Sequence, residues 1–382
     1  MITEFFTPTK IIFGEGALNK LGEVIRPFGN RVFIVSGKSG RFDSILQQYL
    51  KQDEFEISTF HVAGEPTIDT IISALQIAQE HDVQVVVGIG GGSCLDTGKA
   101  IAILMTNHGD IFDYLEVVGK GQAFQNPALP YIAIPTTAGT GTEVTKNAVI
   151  GVPEAKVKVS LRSVWMIPKI AIVDPDLTYG LSSEVTAYSG MDALTQLIEP
   201  YVCNQPNIIT DALCKDGIVR IAHNLLKAHK NGEDKESRYN LSAASLFSGI
   251  ALANAKLGAV HGFAGVLGGM FGAPHGAICA TLLPQVTRVN LNALKQREPN
   301  NPALKRYQEI AQLVLGTGNE GALIDWLGEL CEKMAIPRLR EIGIMPTDFN
   351  QVIEKATHAS SMKGNPIVLT NDELKMILDL AY

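Results

Sequence analysis

Four polar side chains in the second half of the chain have the types and spacing of a metal site. Asp192 and Gln196 are four residues apart within residues 190–200, so on an α-helix they lie on one face, one turn apart. His261 and His275 lie fourteen residues apart in a glycine-rich segment. Carboxylates and imidazoles are common ligands of first-row metals, whereas the amide oxygen of glutamine is a weak donor. If the four side chains converge, the sequence predicts a metal site with one unusual ligand.

A glycine run in the first half of the chain has the composition of a phosphate-binding loop. Residues 85–93 pass from an apolar strand pattern into Gly90, Gly91, Gly92 and Ser93, and a helical pattern follows. Glycines let the backbone approach a diphosphate, and the amides that open a helix favour negative charge. The run matches neither the Gly-x-Gly-x-x-Gly fingerprint nor the Walker A loop. It predicts a diphosphate cradle, with a tight turn that binds no ligand as the alternative.

A threonine-rich loop follows another predicted strand. Residues 135–145 contain five threonines and two glycines, which offer hydroxyl donors without adding charge. Alone this loop is typical of a plain turn. Because carboxyl ends of parallel strands share one sheet edge, the two loops together predict a nucleotide site.

These residues require a scaffold, and the pattern of the chain predicts one in two parts. The first half alternates strand and helix patterns, which favours a parallel sheet with helices on both faces. The predicted strands are residues 31–36, 55–61, 83–88, 131–135 and 170–173, and the helices are 44–50, 68–81 and 95–105. Beyond residue 180 the predicted helices are 186–202, 210–230, 239–255, 303–315, 321–334 and 349–359. We predict an α/β dinucleotide-binding domain over residues 1–180 and an all-helical metal and substrate domain over 181–382, with the substrate in a cleft.

The composition is that of a globular protein without a nucleic-acid partner. The chain has 382 residues, 46% hydrophobic and 19% charged, with a net charge of −7. Its five cysteines include no Cys-x-x-Cys pair, which favours reduced thiols in the cytoplasm. Residues 1–6 lack a basic region before an apolar core, and no apolar run reaches about 18 residues, so we expect neither a secretory signal nor a membrane span.

Taken together, the motifs resemble the iron-containing, or group III, alcohol dehydrogenases. The resemblance covers essentially the whole chain and is carried by residues 9–17, 90–93, 135–145, 174–177, 190–195 and 274–276. It implies a Rossmann-like amino-terminal domain, an all-helical carboxy-terminal domain of the dehydroquinate synthase-like architecture, and at least a dimer. It also implies NAD(P)-linked interconversion of alcohols and aldehydes or ketones.

The resemblance assigns roles to individual positions. Gly91, Gly92 and Ser93 are similar to the pyrophosphate contacts, with Asp96 in the same loop. The implied contacts around the nicotinamide half are Thr136, Thr137, Thr140 and Thr142, with Lys158 as a further cofactor contact. Asp192, His261 and His275 match three metal ligands of the family and form the implied catalytic centre.

Gln196 departs from the family, because the iron enzymes have a histidine at this position. Its weak oxygen donor predicts a lower affinity for iron. The related glycerol dehydrogenases hold zinc with an aspartate and two histidines, so three protein ligands and water would still form an open catalytic site. The alternative is a site without metal, in which Gln196 hydrogen-bonds the substrate.

Two further departures concern the substrate and the cofactor. Many iron enzymes of the family have a second histidine four residues after His261, where this chain has Gly265, which puts the proton route in question and enlarges the pocket. Relatives that prefer NAD often have an aspartate at the position of Gly37. Gly37, with the nearby Lys38, Ser39 and Arg41, favours the 2′-phosphate of NADP, with a turn carrying exposed basic residues as the alternative.

The leading hypothesis is therefore an NAD(P)-dependent alcohol dehydrogenase or aldehyde reductase that uses one divalent metal, iron or zinc. One alternative is a metal-independent carbonyl reductase similar to maleylacetate reductase. Others are a lyase similar to dehydroquinate synthase and a nucleotide-binding relative without activity. Metal content and turnover of aldehydes distinguish these hypotheses.

Overall fold

A computed structural model describes residues 4–8, 10–50 and 54–382 of the chain. These residues form two compact units, Phe6–Tyr179 and Gly180–Tyr382, and Glu4 and Phe5 belong to the second. Thr9, the first residue of the motif over residues 9–17, lies outside the described residues. Residues 1–3, part of the segment in which we expect no secretory signal, also lie outside them.

The first unit contains a parallel sheet. Its strands are β1 Lys10–Phe13, β2 Arg31–Gly37, β3 Glu56–Val62, β4 Val85–Gly90, β5 Tyr131–Pro135 and β8 Ile170–Val173. Among the described residues these six strands follow the order β1-β8-β5-β4-β2-β3, and every neighbouring pair is parallel. Every residue of β4 and β5 is buried, because a sheet covered on both faces has no solvent side.

Helices cover both faces of this sheet. They are α1 Leu21–Ile25, α2 Asp43–Tyr49, α3 Ile68–Glu80, α4 Gly92–Leu104 and α5 Ile111–Tyr114. Successive strand residues point to opposite faces, so Phe33 and Val35 join one apolar cluster and Val32 and Ile34 join the other. The predicted α/β class is confirmed.

Two strands outside the parallel sheet were not predicted. They are β6 Asn147–Val152 and β7 Val157–Arg162, an antiparallel pair with Lys156 at a positive φ in the turn between them. Burial alternates along β6, the pattern of a strand with one solvated face. The resemblance implies only a cofactor contact at Lys158, which lies within β7.

The second unit is mostly helical, as predicted. Its helices are α6 Ser183–Val202, α7 Ile208–Lys230, α8 Lys235–Asn254, α9 Ala259–Phe271, α10 His275–Arg297, α11 Pro302–Leu315, α12 Glu320–Lys333, α13 Phe349–His358 and α14 Asn371–Ala381. The sequence interpretation missed α9, α10 and α14. Six glycines in residues 262–276 weaken the helical signal of α9 and of the start of α10, because glycine is a poor helix former.

Among the described residues, no single helix is long and apolar enough to cross a membrane. The helices α8 and α9 meet that criterion only as a pair, and they bend by 95° at their junction.

Helices α6 and α10 approach closely where the metal-type residues lie. Gly276 is the second residue of α10, and a methyl group added there would lie 2.4 Å from the Tyr188 carbonyl oxygen of α6. Tyr188 is one turn before Asp192, and Gly276 directly follows His275. The absence of a side chain at Gly276 therefore lets the two helices bring Asp192 and His275 together.

We expect Gly276→Ala to destabilise the second unit by about 1–3 kcal/mol, the usual cost of overpacking, because the new methyl group meets backbone atoms. Chemical denaturation measures this change in the free energy of unfolding. Gly328→Ala in α12 is the matched control, since a methyl group there meets no atom of the described chain within 4 Å. It should leave stability unchanged or raise it by about 0.5–1 kcal/mol. Equal effects of the two substitutions would contradict the close-approach argument.

Candidate active site

Three helices of the second unit bring four potential metal ligands together. Asp192 lies in the middle of α6, His261 is the third residue of α9, and His275 is the first residue of α10. Cys279 lies one turn after His275 on α10. One ligand-type atom from each residue lies within 4.8 Å of all the others. The predicted convergence of Asp192, His261 and His275 is thus present in the structure.

Two atoms in this cluster are buried and lack a hydrogen bond. Asp192 Oδ1 lies 3.4 Å from His261 Nε2 and 3.6 Å from His275 Nε2, beyond the usual range for a good hydrogen bond. Within residues 4–8, 10–50 and 54–382, Asp192 Oδ1 and His261 Nε2 have no hydrogen-bond partner. A buried polar group left without a partner costs about 1–3 kcal/mol. A cation between the two atoms would satisfy both, so these residues fit a divalent metal.

Glu199 fixes the orientation of His261. Its carboxylate accepts a hydrogen bond from His261 Nδ1 at 2.7 Å and another from the Val260 backbone N–H at 2.7 Å. This arrangement turns His261 Nε2 toward Asp192, as an outer carboxylate commonly orients a metal-binding histidine. The sequence interpretation missed Glu199, although it lies seven residues after Asp192 on the same helical face.

For both Asp192 and His261, the neighbouring charged groups shift the pKa more than burial does. Burial lowers the pKa of His261, but the hydrogen-bonded Glu199 carboxylate and the nearby charge of Asp192 raise it to about 10. Burial raises the pKa of Asp192, yet the nearby His275 and His261 hold it below its usual value. The Asp192 carboxylate is therefore ionised at neutral pH, the form in which it binds a metal.

Gln196, the predicted fourth ligand, makes hydrogen bonds at both ends of its amide. Its Nε2 donates to Asp192 Oδ2 at 3.1 Å, and its Oε1 accepts from the Ser248 hydroxyl at 3.3 Å. Because a carboxylate only accepts, the amide nitrogen is the end that faces Asp192. These contacts hold Asp192, and ligation by Gln196 stays a prediction.

In the first unit, the two loops predicted to bind nucleotide lie side by side. Gly90 ends β4 with a φ of 151°, where a side chain would collide with Cys94, and Gly91 precedes the first residue of α4. A methyl group added at Gly92 would lie 3.1 Å from Thr140 Cγ2, and one at Gly91 would lie 3.5 Å from Thr137 Cγ2. The backbone amides at the start of α4 and the threonine loop thus border one surface, as the sequence predicts.

A buried ionic network ties this loop to α4. Lys99 is completely buried, and its Nζ lies 2.7 Å from Thr142 Oγ1, 2.9 Å from Thr145 Oγ1 and 3.3 Å from Asp96 Oδ1. Asp96 also accepts hydrogen bonds from the Thr142 hydroxyl at 2.5 Å and the Val149 backbone N–H at 3.0 Å. The described contacts of Asp96 and Thr142 thus position the loop, and their direct contact with a cofactor stays a prediction.

The other predicted cofactor residues lie in different settings. Gly37 ends β2, and a methyl group there would lie 3.9 Å from Cys94 Sγ, close to the start of α4. Ser39 Oγ accepts a hydrogen bond from the Arg41 backbone N–H at 3.4 Å. Lys158, on β7, forms an ion pair with Glu65 at 2.6 Å. For Lys158, binding a cofactor phosphate would compete with this ion pair.

The first unit has a glycine loop at the end of a parallel sheet, and the second has a cluster of metal-type ligands. Together these features are typical of an enzyme that uses a nucleotide cofactor and a metal. The family model described as iron-containing alcohol dehydrogenase matches residues 8–175, and the carboxy-terminal model of the same family matches residues 186–382. The chain belongs to the iron-containing alcohol dehydrogenase family.

Individual relatives match over nearly the whole chain. Alcohol dehydrogenase 4 of Saccharomyces cerevisiae is 37% identical and aligns over 100% of this chain and 99% of its own length. A structure of 1,3-propanediol oxidoreductase is 32% identical, with a TM-score of 0.92 and full coverage of both chains. Sulfoacetaldehyde reductase from Bifidobacterium kashiwanohense in complex with NAD+ is 25% identical, with a TM-score of 0.88 over 100% of this chain and 99% of that one.

The family assignment confirms the predicted class, an alcohol dehydrogenase or aldehyde reductase that uses a nicotinamide cofactor and a divalent metal. It does not favour the metal-independent reductase or the lyase.

Glu143, a buried carboxylate whose pKa the charge of Lys99 also affects, gives a prediction on pH and stability. Burial raises the pKa of Glu143 to about 7, against about 4.3 in an unfolded chain. Between these values the folded state keeps a proton that the unfolded state has lost, so stability falls as pH rises. Glu143→Gln should remove this fall, because glutamine does not titrate. The free energy of unfolding of the variant minus that of the unsubstituted protein should therefore increase as pH rises from 4.5 to 7. Denaturation at several pH values measures the change, with the exposed Glu329→Gln as control. Parallel curves for the Glu143 variant and the unsubstituted protein would contradict it.

Proposed function

We propose that this enzyme interconverts an alcohol and its aldehyde or ketone, with NAD(P) bound by residues 1–180 and the reacting oxygen bound by residues 181–382. The observation that carries the proposal is the pair of buried atoms without hydrogen bonds, Asp192 Oδ1 and His261 Nε2. Together with His275 they supply the donors for one divalent metal.

A divalent metal bound there would polarise a carbonyl oxygen and stabilise the alkoxide formed on hydride transfer. The chain's own residues prepare the site. Glu199 keeps the His261 imidazole oriented, and Gln196 holds one oxygen of Asp192 so that the other faces the histidines. Such fixed donors need no rearrangement during the reaction, and this lowers the barrier.

The cofactor would bind at the start of α4. The backbone amides of Gly91, Gly92 and Ser93 can donate to a diphosphate, which the dipole of the following helix also favours. Thr136, Thr137 and Thr140 offer hydroxyls to the nicotinamide half, with the loop that carries them held in place by Lys99. Hydride would then pass between the nicotinamide and the carbonyl carbon.

The proton would travel through water and the ribose hydroxyls of the cofactor. Gly265 is exposed on α9, and a methyl group there meets no described atom within 4 Å. Water therefore has access to the position at which many relatives have a histidine. The same open space supports a substrate larger than that of relatives with the histidine.

NADP is the proposed cofactor in preference to NAD. No acidic side chain occupies position 37, and Lys38 and Arg41 follow within four residues. Iron and zinc both accept the donors named above. Dimer formation and a cytoplasmic location stay predictions.

Asp192→Ala and His275→Ala should each lower kcat/KM for aldehyde-dependent NAD(P)H oxidation at least about 100-fold, which corresponds to about 3 kcal/mol of lost transition-state stabilisation. The loss should be accompanied by a lower metal content, measured by elemental analysis. His223→Ala, an exposed position on α7, is the control and should leave both quantities unchanged. Full activity in the Asp192 and His275 variants would rule out the metal-centred mechanism.

Gly37→Asp should shift the cofactor preference from NADPH toward NADH by about tenfold or more, because the new carboxylate would repel the 2′-phosphate. The backbone at Gly37 does not have the positive φ that only glycine adopts readily, so an aspartate fits there. The ratio of kcat/KM for the two cofactors measures the shift. Gly318→Asp adds the same charge at an exposed position of the second unit and should leave the ratio unchanged. An unchanged ratio in the Gly37 variant would contradict the proposed preference.

A further inference from the structure

We propose that Cys279 is the fourth protein ligand of the metal, in the place that the resemblance assigns to residue 196. The inference rests on the metal site of the proposed function and adds a sulfur donor to it. The complete ligand set would be one carboxylate, two imidazoles and one thiolate, from Asp192, His261, His275 and Cys279.

Gln196 is poorly suited to ligate the metal because both ends of its amide are already engaged. The nitrogen donates to Asp192 Oδ2, and the oxygen accepts from Ser248. Rotating the amide would place its oxygen against the Asp192 carboxylate, which has no proton to share. Freeing the oxygen for a metal would therefore break two buried hydrogen bonds, each worth about 1 kcal/mol.

Cys279 is in the right place without any rearrangement. It lies one turn after His275 on α10, so the two side chains project from the same face of the helix. The Sγ atom is buried and lies 3.6 Å from His275 Nε2. It also lies within 4.8 Å of the ligand atoms of Asp192 and His261.

A second observation, independent of the cysteine, favours a cation in the cluster. Asp192 Oδ1 and His261 Nε2 face each other inside the protein with no hydrogen bond to any described residue. Their side chains are only 4% and 7% exposed. The thiol therefore borders a site in which two buried donor atoms, Asp192 Oδ1 and His261 Nε2, have no hydrogen bond within the described residues.

The sulfur changes the chemistry of the site. On metal binding the thiol loses its proton to solvent, and the thiolate and the Asp192 carboxylate together balance the two positive charges of the metal. Thiolate and imidazole donors favour zinc or cobalt over magnesium or calcium. A metal held by these four side chains would still polarise the substrate oxygen by taking it as a fifth ligand, as catalytic zinc does in some enzymes.

Two spectroscopic measurements on the full-length protein test the proposal. In the zinc-loaded protein, X-ray absorption should show one sulfur neighbour at about 2.3 Å beside nitrogen and oxygen at about 2.0–2.2 Å. Cobalt added to the metal-free protein should give a thiolate-to-cobalt charge-transfer band. Cys279→Ser should lose both signals and bind the metal at least about tenfold more weakly, while keeping the Asp192 and histidine donors.

Cys331→Ser is the matched control, because its thiol donates to the carbonyl oxygen of Ala280, the residue after Cys279, and lies outside the ligand cluster. This variant should keep the sulfur signal. Metal bound to the unsubstituted protein without a sulfur neighbour would overturn the role of Cys279 and leave the proposed function intact. Failure of the unsubstituted protein to bind either metal would overturn both. Since these two outcomes need no variant, a Cys279 variant that fails to fold does not prevent the test.

Discussion

The buried polar face of α6 is the constraint on which the catalytic half of the molecule depends. Asp192, Gln196 and Glu199 follow at helical spacing inside a helix that is buried from Gly190 to Val202. Polar groups buried in this way are costly unless each has a partner. Helices α8 and α9 supply Ser248 and the His261 imidazole, and α10 contributes His275. The helices therefore pack around α6 in an arrangement that gives its polar side chains partners, except at Asp192 Oδ1, which has no hydrogen bond within the described residues.

The amino-terminal unit likewise buries a polar side chain among partners, the side chain of Lys99. The Lys99 ammonium group replaces its lost hydration with oxygens from the threonine loop, β6 and Asp96. Removing one partner of such a buried pair usually costs about 3–5 kcal/mol. The network links the helix that begins at the glycine run with the loop that borders it. The surface proposed to bind the cofactor is thus formed before any ligand arrives, which lowers the entropic cost of binding.

The sequence predicted the elements with strong periodicity and the residues whose type alone indicates chemistry. The strands from β2 to β5, the helix α6 and the trio of Asp192, His261 and His275 belong to this group. Glu199 and Cys279 were missed because a glutamate or a cysteine has a role only through the atoms that lie beside it, and those come from distant segments. The hairpin of β6 and β7 and the helices α9 and α10 were missed because local glycines and weak alternation do not show how tertiary packing stabilises them.

The members of the metal-type cluster differ in their access to solvent. The side chain of His275 is 35% exposed, whereas those of Asp192 and His261 are 4% and 7% exposed. Asp192 lies in the middle of α6, and His261 lies near the start of α9, where Glu199 accepts a backbone hydrogen bond. His275 is instead the first residue of α10, and helix ends are the parts of a helix that fray. An ion bound by these residues would therefore exchange with solvent on the His275 side, and its exchange would require movement of this side chain rather than unfolding of the domain.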